Sequence, residues 1–189
     1  WGTSMPKVFV IGPNKCATGS LHQFFKNNGL KSVHWDDGLL AKRMVSNVSA
    51  GLNVINGYED YDCFLDFYLL TPDLFISPLL LRPYIASQFP DALYILNSRE
   101  KSEWKKSRLK HDNGSFQHRL TSCLGDEYSS ENEYESYFDI SDIDVKFLHF
   151  FDLEAPDKFQ KLGAFLHRNG IHVSEQKEVK SNISANLYK

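Results

Sequence analysis

Lys15 stands in a run of small residues, Gly12-Pro13-Asn14-Lys15-Cys16-Ala17-Thr18-Gly19-Ser20, between two apolar stretches. Val8 to Ile11 is continuous, apolar and mostly β-branched, the pattern of a strand buried on both faces, and Gly12-Pro13 ends it. Leu21, Phe24 and Phe25 then fall at i, i+3 and i+4, one face of a helix, with Asn28-Gly29 as its stop. A buried strand therefore runs through a loop carrying one lysine into a helix. Backbone N–H groups, the positive end of a helix dipole and an ammonium then converge on one point, which suits a phosphate. The plainer alternative is a tight strand–helix turn with a solvated lysine. The loop is not a Walker A sequence, because there the lysine directly precedes Ser or Thr at the loop's end. Lys15 comes early, and Gly19-Ser20 closes the loop.

A second candidate lies farther on. Ala92 to Leu96 reads as a buried strand that ends in Asn97-Ser98-Arg99, and a helix is expected from about Ser102 to Lys110. Arg99 at a strand end offers a planar fork to phosphate oxygens, and Ser107, about two turns into the helix, adds a hydroxyl. Acid–base candidates are His34, Asp36 and Asp37 after a short strand at 32–35, and Asp66 in the strand-like Cys63-Phe64-Leu65-Asp66-Phe67. Asp36 is the preferred base and Asp66 the next. Each has a bland alternative: helix-start acids for Asp36 and Asp37, a packed His34, a hydrogen-bonded Asp66. Cys16 has two readings, a reactive thiol if the helix dipole lowers its pKa or, favoured, simple loop packing. His22, His111, His118, His149, His167 and His172 have no partner pattern and read as structural or surface residues.

The elements that must carry these residues alternate. Further helices are expected over 39–48, 79–88 with Pro83 near its first turn, and 156–168, with a last strand over 145–150. Such alternation predicts an α/β fold, three layers α/β/α around a central parallel sheet. Ligands of such sheets sit at the carboxyl ends of strands, which gathers Lys15, the 35–37 turn, Asp66 and Arg99 along one edge.

Bulk properties bound the rest. The 189 residues suit one domain with a core of its own. A net charge of −3 argues against a general nucleic-acid binder. No apolar run nears a membrane span and no signal peptide is seen, while Trp1-Gly2-Thr3-Ser4 before Met5 reads as an expression scar. Three scattered cysteines form neither a disulfide framework nor a metal pattern, so a cytoplasmic setting is the expectation. Residues 101–119 carry six Lys or Arg, and 126–144 carry eight acids and neither base. The acidic stretch is expected to be a solvated lid-like face that can fold over the basic one. The tail, 174–189, is polar.

The loop resembles the 5′-phosphosulfate loop of the sulfotransferases, roughly Pro-Lys-Thr-Gly-Thr-Thr-Ser-Leu. Lys15, Thr18, Ser20 and Leu21 match it, Asn14 and Cys16 depart mildly, Ala17 replaces a glycine and Gly19 a threonine. Ala17 is the departure of most consequence, since its Cβ narrows the choice of φ and ψ. Phe89 to Arg99, continuing through Trp104 to Ser107, is similar to that family's 3′-phosphate strand and helix. Residues 61–66 and 147–166 resemble its middle strand and late strand–helix unit, and Val33-His34-Trp35-Asp36 resembles the acidic turn of its glycan-modifying branch. The resemblance implies a P-loop-like nucleotide-binding fold and the donor 3′-phosphoadenosine 5′-phosphosulfate (PAPS; product PAP), with no metal. It implies a cofactor cradle of Asn14, Lys15, Cys16, Ala17, Thr18, Gly19 and Ser20, with Arg99 and Ser107 on the 3′-phosphate. Lys15 and a base among His34, Asp36 and Asp66 would carry the chemistry.

The family's Gly-rich C-terminal loop is not visible, and Lys177, Lys180 and Asn182 are its only stand-ins. The acceptor, a small molecule or glycan, would be bound by loops within 38–62 and 115–143. Its identity and the oligomeric state are not legible. The alternatives are a non-catalytic nucleotide-binding module of the same fold and, less favoured, a P-loop nucleotide kinase or NTPase.

Overall fold

Alternation along the first strand divides the molecule in two. Val8 and Val10 of β1 (Val8–Val10) face one side, toward Leu21, Phe24, Phe159 and Leu162, and Phe9 faces the other, toward Leu40, Met44, Phe64 and Tyr94. Each face needs a cover, and helices supply both. The computed structural model describes residues 5–125 and 128–174. Residues 1–4, the expected expression scar, acids 126 and 127, and Lys177, Lys180 and Asn182 lie outside the described residues.

In chain order β1 leads to α1 (Thr18–Asn27), β2 (Ser32–His34), α2 (Leu39–Ser49), β3 (Cys63–Leu65), a hairpin of β4 (Leu69–Thr71) and β5 (Leu74–Ile76), and α3 (Pro78–Gln88). Then come β6 (Leu93–Ser98), α4 (Lys101–Leu109), α5 (Ser115–Leu124), α6 (Ser130–Ser136), β7 (Leu148–Asp152) and α7 (Lys158–Arg168). The main sheet has the order β2-β3-β1-β6-β7, all parallel, with Val8 opposite Cys63 on one side and Leu93 on the other. This is the expected three-layer α/β/α arrangement around a central parallel sheet. The chain leaves β1 toward β2 at one edge, and the later crossover from β3 passes β1 to reach β6 on its other side. The winding therefore reverses beside β1, and a crevice opens at the strands' carboxyl ends. No helix among the described residues is long and apolar enough to cross a membrane.

Several local expectations shift. The last strand runs over 148–152 rather than 145–150, because exposed Val145 begins a 3₁₀ turn and buried Phe151 belongs to the sheet. Pro78, not Pro83, opens α3; Pro83 sits in mid-helix, where its ring lacks the N–H that would bond one turn back. Asp36 and Asp37 do not cap α2. They form a left-handed turn with Trp35 (φ 58°, 53° and 53°), and Gly38 takes the N-cap position. Gly38 is left-handed, φ 78°, which favours glycine, and a Cβ there would meet Leu69 Cδ1 at 2.8 Å and make that side chain of the hairpin shift.

The acidic stretch does fold over the basic one. Lys101 pairs with Glu135 and Lys105 with Glu131 at the surface, while the buried Arg108 grips both oxygens of Glu133 at 2.6 and 3.2 Å. Asp142 is held by Arg82 Nε at 3.0 Å. Residues 130–136 form the short helix α6, which buries Glu133 and Tyr134 against the basic helix and leaves Glu131 and Glu135 exposed on its outer side.

Candidate functional site

The loop after β1 is held by its neighbours more than by itself. The Gly12 N–H donates to Asn97 Oδ1 at 2.9 Å, and Asn97 Nδ2 donates to the carbonyls of Pro13 and Cys16 at 3.2 and 2.8 Å. Trp104 Nε1 donates to the Asn14 carbonyl at 2.9 Å, and the Asn14 N–H donates to the Tyr68 hydroxyl at 3.2 Å. Lys15 and Ala17 are both left-handed, φ 63° and 64°. Ala17 therefore occupies the conformation that a glycine adopts without strain, at the position where the resemblance expects one. Left-handed residues curl successive N–H groups inward, a shape that accepts anions. The first-turn N–H groups of α1, Thr18 to Ser20, have no intrahelical acceptor, and no side chain caps that end. An anion there would meet unpaired donors and the positive end of the dipole.

Arg99 leaves the carboxyl end of β6 beside this loop. Its Nη1 donates to the Lys15 carbonyl at 3.4 Å and its Nε lies 3.7 Å from Glu154 Oε1. Among the described residues, Arg99 Nε and Asn14 Oδ1 are buried without a hydrogen-bond partner. Tyr134 of α6 donates its hydroxyl to the Arg99 carbonyl, so the acidic helix also buttresses this wall.

One cleft of about 870 Å³ runs past these groups. Asn14, Lys15, Ala17, Thr18, Gly19 and Ser20 border it, as do Arg99 and Ser107. Cys16 does not: its side chain is buried against Trp104 and Tyr134, and burial pushes its thiol pKa well up, so it is a packing residue rather than a reactive one. His34 and Asp66 border the same cleft. His34 Nε2 lies 3.1 Å from Thr18 Oγ1 and 3.4 Å from Asp66 Oδ2, linking the end of β2 to the head of α1. Asp66 is itself left-handed, φ 54°.

Asp36 is placed elsewhere. The left-handed turn directs it to the Tyr58 hydroxyl at the surface, and it does not border the cleft. None of residues 38–62 does either, so the cleft wall comes instead from Trp35, Leu69 and Leu70 of the hairpin side, and from 110–119. His111, read from sequence as an ordinary histidine, is on that wall with Lys110 and Arg119. Asn97 was also missed. A polar residue ending the apolar run Ala92–Leu96 was the available signal, since a buried side-chain amide must find partners.

Lys15 is partly buried. Burial lowers its pKa from the ordinary lysine value, Asp66 opposes that and Arg99 adds to it. The arrangement brings cationic groups and open N–H donors to two adjoining walls and sets a carboxylate–imidazole pair on the same cleft as the lysine.

No protein-family model matches the chain, and no curated protein does. Among solved structures, an unliganded sugar kinase from Janibacter sp. HTCC2649 aligns over 87% of this chain and 91% of its own, at 12% identity and a TM-score of 0.39. A likeness that loose carries no argument about activity.

Proposed function

We propose that the chain is a sulfotransferase, moving the sulfuryl group of PAPS to a hydroxyl or amine of a small molecule or glycan. One observation carries the reading: the Lys15 loop and the Arg99–Ser107 wall border the same cleft, with Arg99 Nη1 3.4 Å from the Lys15 carbonyl. Two adjoining anion-ready walls suit a nucleoside phosphorylated at both 3′ and 5′ positions better than one carrying a single phosphate.

In this reading the amides of 18–20 and the hydroxyls of Thr18 and Ser20 hold the 5′-phosphate, while Arg99 and Ser107 hold the 3′-phosphate. The acceptor oxygen attacks sulfur as the bond from sulfur to the bridging phosphate oxygen breaks, and Lys15 neutralises the charge that grows on that oxygen. The acceptor proton passes to Asp66, which borders the cleft with His34 beside one of its oxygens. Asp36 has no part. No metal is assigned.

Thermal unfolding with and without ligand tests the donor assignment. Adenosine 3′,5′-bisphosphate is expected to raise the melting temperature clearly more than AMP at equal concentration. Equal shifts from the two would remove the 3′-phosphate site and leave a plain nucleotide binder.

A further inference from the structure

His111 opens a short 3₁₀ turn, His111–Gly114, between α4 and α5, and its Nδ1 is 3.5 Å from Lys15 Nζ. The two residues meet only across the cleft. The turn that carries the imidazole is pinned. Asp112 and Asn113 are left-handed, φ 53° and 54°, and the Asp112 carboxylate accepts the Ser115 hydroxyl at 2.9 Å and pairs with Arg119. The ring is backed by Phe116, with centroids 5.0 Å apart. An ammonium has donors only, so Nδ1 must offer its lone pair, which assigns the neutral ring with its proton on Nε2.

We propose that His111 is a positioning residue for Lys15: the neutral imidazole accepts from the ammonium and holds it at the mouth of the loop, and protonation of the ring releases it. The inference rests on the proposed role of Lys15 toward the donor. The groups facing His111 are Lys15 from the loop, Asp66 from the end of β3, Asp112 from its own turn and Arg119 from α5. Lys15 and Arg119 disfavour a proton on the ring, and the two aspartates favour one. Burial is the largest influence and takes the pKa below the ordinary histidine value. At neutral pH the ring is therefore uncharged and free to accept. As pH falls through that lowered value, two cations would face each other across 3.5 Å and the contact breaks. A bystander histidine would leave no mark on the acid side of the rate profile. This one should.

Two measurements test it. The first follows the His111 ring protons by NMR titration in the wild type and in Lys15→Met. Loss of the ammonium is expected to raise the His111 pKa, and an unchanged value overturns the pairing. The second measures cleavage of PAPS with water as acceptor, from acid to neutral pH, in the wild type, His111→Gln and His111→Phe. Glutamine accepts from an ammonium but does not titrate, so it should keep the neutral-pH rate and lose the histidine's share of the acid limb. Phenylalanine keeps the contact with Phe116 but accepts nothing, and its rate should fall about tenfold to a hundredfold. Wild-type rates with an unaltered acid limb in both variants overturn the positioning role. Failure of the wild type to bind PAP, with the NMR shift intact, would instead sink the donor assignment and leave the Lys15–His111 pairing standing.

Discussion

Asn97 closes on Gly12 so tightly that nothing larger than glycine fits between them: a Cβ at Gly12 would lie 2.1 Å from the Asn97 carbonyl oxygen and 2.5 Å from its side-chain oxygen. The last buried residues of β6 thereby set the path of the loop that begins after β1. The arginine two positions beyond Asn97 and the lysine three beyond Gly12 are brought together by this one junction.

Asn97→Ala should accordingly damage both walls at once. It strands the Gly12 N–H and two loop carbonyls, and an unsatisfied buried group costs about 1–3 kcal/mol. Urea unfolding is expected to show a loss in that range, with weaker PAP binding in calorimetry.

Lys15→Ala and Arg99→Ala should separate chemistry from recognition. The first is expected to abolish sulfuryl transfer while leaving much of the nucleotide affinity, because the amides of 18–20 remain. The second should weaken PAP far more than AMP. Side-by-side titrations of both nucleotides with both variants check the division, and equal losses for the two ligands in Arg99→Ala would reject its assignment.

Asp66→Asn should lower the rate about 10²–10⁴-fold, the usual range for loss of a general base. Asp36→Asn, which affects only a surface hydrogen bond to Tyr58, should turn over normally. A slow Asp36→Asn variant beside an unaffected Asp66→Asn one would reverse the choice of base.

Ala17→Gly should stabilise the chain. A non-glycine residue in the left-handed region carries about 1–2 kcal/mol of strain, and Ala17 sits there at φ 64°. A higher urea midpoint with an unchanged slope is the expected result.

Acid should destabilise the fold through two half-buried histidines. Burial, chiefly, lowers the pKa of His22 and of His149 to about 4. Both depressed values lie below the unfolded-state value of about 6.5, so the unfolded chain binds the extra protons. The stability they support is complete above that pH and is lost as pH falls from there toward 4. Chemical denaturation across this window should show the decline, and His22→Gln with His149→Phe should flatten it.

What could be read in advance follows from range. Buried apolar runs announced β1, β3 and β6, and helical spacing announced α1 and α7, because both signals are local. The Lys15 loop was singled out by its place between a buried strand and a helix, whereas Arg99 and Ser107 came from the resemblance and not from their spacing; all three border one cleft. The β4–β5 hairpin was not, since its strands are three residues long and mostly half-exposed, with Pro72 between them. Asp36 misled because three consecutive left-handed residues redirect it. Asn97 and His111 act on partners more than 80 positions away, and no local pattern records such a contact.

The clasp between α4 and α6 bears on how a ligand arrives. Lys101, Lys105 and Arg108 recur at i, i+4 and i+7 and take the glutamates, whereas Ser107 and Lys110 project from the opposite side of the helix onto the cleft. Glutamate charge is cancelled on the face of α4 that the cleft does not use. A molecule with a formal net charge of −3 thus keeps a positive window, and diffusing polyanions should be steered into it faster at low ionic strength than at high.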